Sequence, residues 1–277
     1  MKDDYGILKL RVLLYFLNNG KEDCSVVKIS KVLDVTKQRV SRVLIDLEEN
    51  GYADRTDQRH PVLTESGTEY AKNYAERIRV SLNHLLYEGV PLQQAEEDAY
   101  RWAIDNTEAT MKVIREAETK CRVKYELRNR EHFSGKELCK AFGDGDFEFN
   151  FIVYRAEQKN GSNLSMANKG FEHPGHLIIK NGVGKIRLRA VELEAKSPVT
   201  KIKMKGKVDG LKYHYNGDFC QADISNDIIT FPADAMEFVN IGEGINQIVH
   251  GSVGIKVRCT VFPMHMPESE AIFTMIF

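Results

Sequence analysis

Cysteine is sparse in this 277-residue chain, and the five present, Cys24, Cys121, Cys139, Cys220 and Cys259, are far apart with no C-x-x-C pair among them. That spacing excludes a disulfide framework and a zinc finger, and it fits a reducing cytosol. Long apolar runs are also lacking. No stretch approaches the roughly 20 apolar residues that span a bilayer, and MKDDYGILKL sets acids before a short apolar segment, unlike a signal peptide. Net charge is nearly absent, at −1, so the chain as a whole is no polycation, and any basic patch must be local. Repeats and low-complexity tracts are missing. So are a strand-to-helix phosphate loop, a nucleophile elbow and a paired-histidine metal motif. Gly182-Val183-Gly184 reads as a turn before a strand. No catalytic residues are assigned, and an enzyme is not expected.

What is there is enough apolar content, 42 %, for two or three small cores. Thr36 to Asn50, TKQRVSRVLIDLEEN, is the most informative stretch. Val40, Val43, Leu44 and Leu47 fall at i, i+3, i+4 and i+7, one apolar stripe of a helix. Thr36 is the expected N-cap, and Gly51 the stop. The opposite face carries Lys37, Gln38, Arg39, Ser41 and Arg42 near its start, where a recognition helix presents side chains to a major groove.

The neighbours decide between that reading and an ordinary solvated face. Tyr5 to Asn18 reads as a buried helix ended by Gly20. Ser25 caps a second short helix with Val26, Ile29 and Leu33 inward, and Asp34-Val35 turns into the third. Two helices joined by a tight turn, the second basic at its start, make a helix-turn-helix. Lys28, Lys31, Lys37, Arg39 and Arg42 face a single acid, Asp34, across this stretch, a local charge suited to a phosphate backbone. Tyr52 to Arg55 and Pro61 to Thr64 are expected to pair as a wing with Asp57-Gln58-Arg59-His60 at its tip, which offers Arg55, Arg59 and His60 to phosphates or the minor groove. Thr64 caps the next helix, and Gly67 lets that helix pack close to the wing.

The segment from about Val27 to Ala71, through KISKVLDVTKQRVSRVLIDLEENGY and LTESGTEYA, resembles the winged-helix repressors, most of all the diphtheria-toxin-repressor family of metal-dependent regulators. The resemblance implies double-stranded DNA as partner. Three amphipathic helices follow: Glu65 to Glu88, LQQAEEDAYRWAI, and one running to about Leu127 through Met111, Ile114, Ala117 and Cys121. In that family this region makes the two-fold dimer, so a homodimer is expected. The family's metal ligands do not carry over. Tyr100, Ala103 and Ile104 stand at primary-site positions, with Arg79, Asn83, Glu96 and Gly6 at the others, a set too poor in imidazole, thiolate and carboxylate for a transition metal. No metal site is therefore expected.

After Phe142-Gly143-Asp144-Gly145 the helical period stops, and seven to eight alternating runs punctuated by Asn181-Gly182 and Asn216-Gly217 suggest an immunoglobulin-like β-sandwich. SMANKGFEHPGHLIIKNG resembles near-iron-transporter (NEAT) domains, the haem-binding sandwiches of bacterial surfaces, and so does the C-terminal VRCTVFPMHMPESEAIFTMIF. The resemblance implies a planar-ring slot between a helical turn (Ser165, Met166, Phe171) and a hairpin. The family's iron-ligating tyrosines fall at Pro267 and Ala271, which bind no iron. The hairpin offers Met264, His265 and Met266 instead, with haem as the candidate cofactor and His265 as its ligand.

The expected architecture is a multidomain α and β chain. It comprises a winged helix-turn-helix over 1–72, a helical dimerisation region over 73–143, and a β-sandwich sensor domain over 144–277. The expected function is a cytoplasmic, dimeric, DNA-binding transcriptional regulator whose β domain senses a ligand, with haem or an iron-related molecule as the candidate, rather than the family's divalent metal. The alternative is a haem or small-ligand binding protein whose winged helix serves protein contacts.

Overall fold

A computed structural model describes residues 4–159, 162–196, 203–261, 264–265 and 268–277. The chain falls into two compact units, Met1–Glu118 and Thr119–Phe277, and the division lies within one helix.

The first unit contains α1 (Tyr5–Asn18), α2 (Val26–Val32) and α3 (Lys37–Glu49), then β1 (Ala53–Asp54), β2 (Val62–Leu63), α4 (Glu65–Tyr87) and α5 (Leu92–Asp105). It also contains the first part of α6 (Glu108–Leu127). Capping follows the sequence closely. The Ser25 side chain accepts the Lys28 N–H, Thr36 the Arg39 N–H, and Thr64 the Gly67 N–H. Asp34 takes a φ of 53°, the left-handed conformation a short polar side chain tolerates, and so turns the chain from α2 into α3. Val40, Val43, Leu44 and Leu47 are all fully buried in one cluster with Leu8, Leu13, Ile29, Ala53 and Ala71. Each such side chain contributes about 1.5–3 kcal/mol of burial free energy, so the stripe fixes which face of α3 looks outward.

The wing is a two-stranded hairpin, Ala53 opposite Leu63 and Asp54 opposite Val62. Behind it α4 starts at very close range. A Cβ on Gly67 would lie 1.9 Å from the Tyr52 carbonyl oxygen. Tyr52 stacks on Tyr70 with ring centroids 4.4 Å apart.

The second unit begins with the end of α6, then β3 (His132–Ser134) and α7 (Gly135–Phe142). Ser134 and Glu137 form a capping box, and Leu138, Cys139 and Phe142 enter the β core. This helix and β3 were not separated out in the sequence, which merges them into the helical region. The strands follow: β4 (Gly145–Lys159), β5 (Ser162–Leu164), β6 (Gly175–Lys180), β7 (Val183–Arg189) and β8 (Glu192–Lys196). Then come β9 (Lys203–Tyr215), β10 (Asp218–Gln221), β11 (Asp223–Ser225) and β12 (Ile228–Pro232). The last are β13 (Glu237–Ile241), β14 (Ile248–Val261), β15 (Met264–His265) and β16 (Ser269–Ile276).

Among the described residues all strand pairs are antiparallel, and the two faces of the sandwich are one hydrogen-bonded path, β10-β9-β14-β16-β4-β6-β7-β12-β11. β4 makes the corner: Gly145–Phe149 pair with β6, and Asn150–Arg155 pair with β16. Phe149, Phe151, Leu177, Ile186, Phe231, Ile255 and Phe273 meet in a single core between the faces. The strand count exceeds the seven to eight expected, because β3, β5, β13 and β15 lie outside the expected runs and KYHYNGDFCQADI holds parts of three strands, β9, β10 and β11. Two amides close the C-terminal end of α6. Asn240 Nδ2 donates to the Leu127 carbonyl at 2.7 Å, and Gln247 Nε2 to that of Lys124 at 2.9 Å.

Candidate nucleic-acid interface

The core stripe of α3 leaves Lys37, Gln38 and Arg42 exposed, with Arg39 and Ser41 half-buried beside them. All five lie in the first half of the helix, opposite the buried stripe. Ile45, 43 % exposed, continues that face one turn further. It is a position the charge-based reading passed over, and its break in the apolar period is the signal that marks it.

Arg42 has a neighbour the sequence did not predict. Its Cζ lies 5.8 Å from the centroid of the Tyr5 ring, and the Tyr5 hydroxyl is 3.4 Å from both the Arg42 carbonyl and Asp46 Oδ2. Burial first, then the Asp46 charge, pushes the Tyr5 phenol above its ordinary pKa, so it stays protonated. Asp46 also takes Lys9 Nζ at 2.9 Å and Asn50 Nδ2 at 2.9 Å.

The wing tip is shaped by two carboxylates. Asp54 Oδ1 accepts the Thr56 N–H at 2.8 Å, and Asp57 Oδ1 accepts the Arg59 N–H at 3.0 Å. The Thr56 hydroxyl for Asp54, and the Arg59 N–H for Asp57, hold both acids below the usual carboxylate range. Arg59 stands exposed at the tip, and His60 is half-buried. Arg55 reaches back to Glu48 Oε2 at 3.0 Å, bracing the wing against the last turn of α3. The structure therefore brings Lys37, Gln38, Arg39, Ser41 and Arg42 together, adds Arg59, and turns Arg55 inward.

The positions that the repressor resemblance assigns to metal ligands do not suit a metal. Ala103 is fully buried, and Ile104 packs against the helical core. The Tyr100 ring lies under Arg11 at 5.5 Å. Arg79 pairs twice with Glu76, at 2.8 and 2.7 Å, and lies 4.0 Å from Glu118. Asn83 Nδ2 donates to Glu118 Oε1 at 3.2 Å, and that carboxylate is only 4 % exposed. A guanidinium and an amide thus engage this buried acid, and among the described residues no group of three His, Cys, Asp or Glu side chains is placed to hold an ion.

In the second unit, Ser165 caps a short 3-10 turn, Met166–Gly170, by accepting the Ala167 N–H. Met166 is exposed, but Phe171 is buried in the β core against Phe151, so it is unavailable to a planar ligand at the surface. Met266 lies outside the described residues. Met264 and His265 pair with Val261 and Thr260 as a strand, and their side chains lie outside the described residues too. No helix among the described residues is long and apolar enough to cross a membrane.

Comparison with known proteins gives three findings. No curated protein matches the chain. Among solved structures, the manganese regulator SloR is similar at 13 % identity over 84 % of this chain and 100 % of that one, with a TM-score of 0.34. T. acidophilum IdeR is similar at 15 % identity over 84 % and 99 %, with a TM-score of 0.31. The NEAT5 domain of IsdX2, a B. anthracis hemophore solved in complex with heme, is similar at 15 % identity over 48 % of this chain and 96 % of that one, with a TM-score of 0.30. The α3 face and the wing lie within or directly beside a stretch that a family model covers: residues 6–61 match the MarR family, and with β2 directly after them they fold as a winged helix.

Proposed function

We propose that the chain is a DNA-binding transcriptional regulator. The observation that carries this is the outward face of α3. Lys37, Gln38 and Arg42 are exposed at its N-terminal half, beside a wing whose tip exposes Arg59, on a helix whose other face is fully buried. Arginine there suits the two acceptors of guanine, glutamine the acceptor and donor of adenine, and the lysine suits phosphate. Ser41 and Arg39 flank the contact, with His60 at the wing.

The regulator works as a homodimer through the α4–α6 region, each copy reading one half-site. Leu86, Leu92 and Val113 support this, since all three stand exposed on those helices. The β unit receives the signal. Its effector acts by linkage, favouring whichever arrangement of the two DNA-binding heads it binds better. Arg79, Asn83 and Glu118 favour a signal other than a divalent metal, because the buried acid is already engaged.

The test is selection of duplexes from random DNA by the full chain, followed by band shifts. Arg42→Ala costs about 1–3 kcal/mol on the selected duplex when Arg42 reads a base. Binding that is unchanged in both Arg42→Ala and Lys37→Ala removes α3 as the reading face.

A further inference from the structure

We propose that Tyr5 is a positioning residue for Arg42, holding its guanidinium ready on the DNA-reading face. The proposal rests on the reading of α3 as the recognition helix and deepens it.

Arg42 and Asp46 are one turn apart on α3, the spacing at which an arginine and an acid ordinarily pair. Such a pair would occupy the guanidinium donors and cancel the charge that DNA needs. Here the Asp46 carboxylate is engaged by Lys9 and Asn50. The Tyr5 hydroxyl sits between Asp46 and the Arg42 carbonyl, which fixes the ring on the surface of α3. The guanidinium lies over that ring. Cation–π attraction restrains a guanidinium through its face and leaves the five N–H donors at its edge unused. An arginine held this way gives up less rotamer freedom when it meets a base. α1 thereby sets the aim of a residue on α3, and Lys9, one turn along α1 from Tyr5, removes the competing acid.

The experiment compares wild type, Tyr5→Phe, Tyr5→Leu, Arg42→Ala and the Tyr5→Leu/Arg42→Ala double variant. The probes are a duplex selected by the wild-type chain and an unrelated duplex of equal length. Thermal melts confirm that each variant is folded. Tyr5→Leu is expected to weaken the selected duplex about 3- to 10-fold, from the rotamer freedom one arginine loses, and to leave the unrelated duplex nearly unchanged. Tyr5→Phe keeps the ring and most of the affinity. Adding Tyr5→Leu to Arg42→Ala should cost nothing more. An equal loss in both backgrounds overturns the proposal, because Tyr5 would then act through helix packing.

A second measurement needs no DNA. The Arg42 side-chain Nε–H resonance should carry a ring-current shift in wild type and Tyr5→Phe that Tyr5→Leu removes. Its absence in wild type also overturns the proposal. If the ring-current shift is present but Arg42→Ala binds DNA as wild type does, Arg42 takes no part in reading DNA, and the positioning role falls for that separate reason.

Discussion

Gly67, in the first turn of α4, lies directly beneath Tyr52, where an added Cβ would fall 1.9 Å from the Tyr52 carbonyl oxygen and 2.7 Å from its carbonyl carbon. Backbone cannot rotate aside as a side-chain tip can. The same carbonyl accepts the Thr64 N–H at 3.1 Å, and the Thr64 hydroxyl donates to the Gly51 carbonyl at 2.7 Å, so the junction is tied on both sides. Gly67→Ala is therefore expected to destabilise the winged helix by about 1–3 kcal/mol, the usual cost of overpacking a tight site. Urea denaturation checks this, and stability equal to wild type would show that the wing can slide.

Arg55 and Arg59 are both wing arginines, yet they are expected to differ in DNA binding. Arg59 is exposed at the tip, so Arg59→Ala should lower the salt dependence of binding by about one ion. Arg55 is spent on Glu48, and Arg55→Ala should leave the salt slope intact while loosening the wing. An isolated exposed pair is worth at most about 1 kcal/mol, so the folding cost should be small. Band shifts over a salt series separate the two. Equal slopes for the two variants would mean that Arg55 leaves Glu48 for the phosphate.

The contrast between these arginines shows where the sequence was legible. Helix α3, its cap, its stripe and its outward residues follow from spacing alone, because a 3.6-residue period and an N-cap are local properties. The wing and the tight place for Gly67 were equally readable. Which arginine turns inward was not, since Glu48 is seven residues away and on a different element. Tyr5 was missed for the same reason: its partner, 37 residues on, is set by how α1 crosses α3. In the β unit, alternation marked most strands. It could not show that β4 serves both faces, or that Phe171 points into the core, because both depend on pairing partners. Helix α7 was merged with its predecessors because its apolar face, Leu138, Cys139 and Phe142, belongs to a core built mostly from strands.

Glu118 supplies a test of how the chain is switched. Its buried carboxylate is held by Asn83 and lies 4.0 Å from Arg79. DNA affinity is expected to be unchanged by EDTA and by added manganese. Asn83→Ala should destabilise the fold by about 1.5–3 kcal/mol, the worth of a hydrogen bond to a charged group. A loss of DNA binding on chelation that manganese restores would overturn the account of the helical region.

Cys139 gives the clearest pH prediction. Its Sγ fills the space that a Cβ on Gly184 would take, at 2.2 Å, within a core where the thiol is 1 % exposed. Burial first, and the nearby Asp234 charge second, push the thiol up to about 11 from its ordinary 9.0. The folded state thus keeps a proton that the unfolded state releases between those values. Stability from this group is complete below pH 9 and is lost as pH rises through about 11. Thiolate is the reactive form, so Cys139 should resist alkylation in the native chain at pH 8 and react only on unfolding. Mass spectrometry after a timed iodoacetamide pulse reads this directly. Rapid native labelling at Cys139 would mean that α7 opens from the sheet.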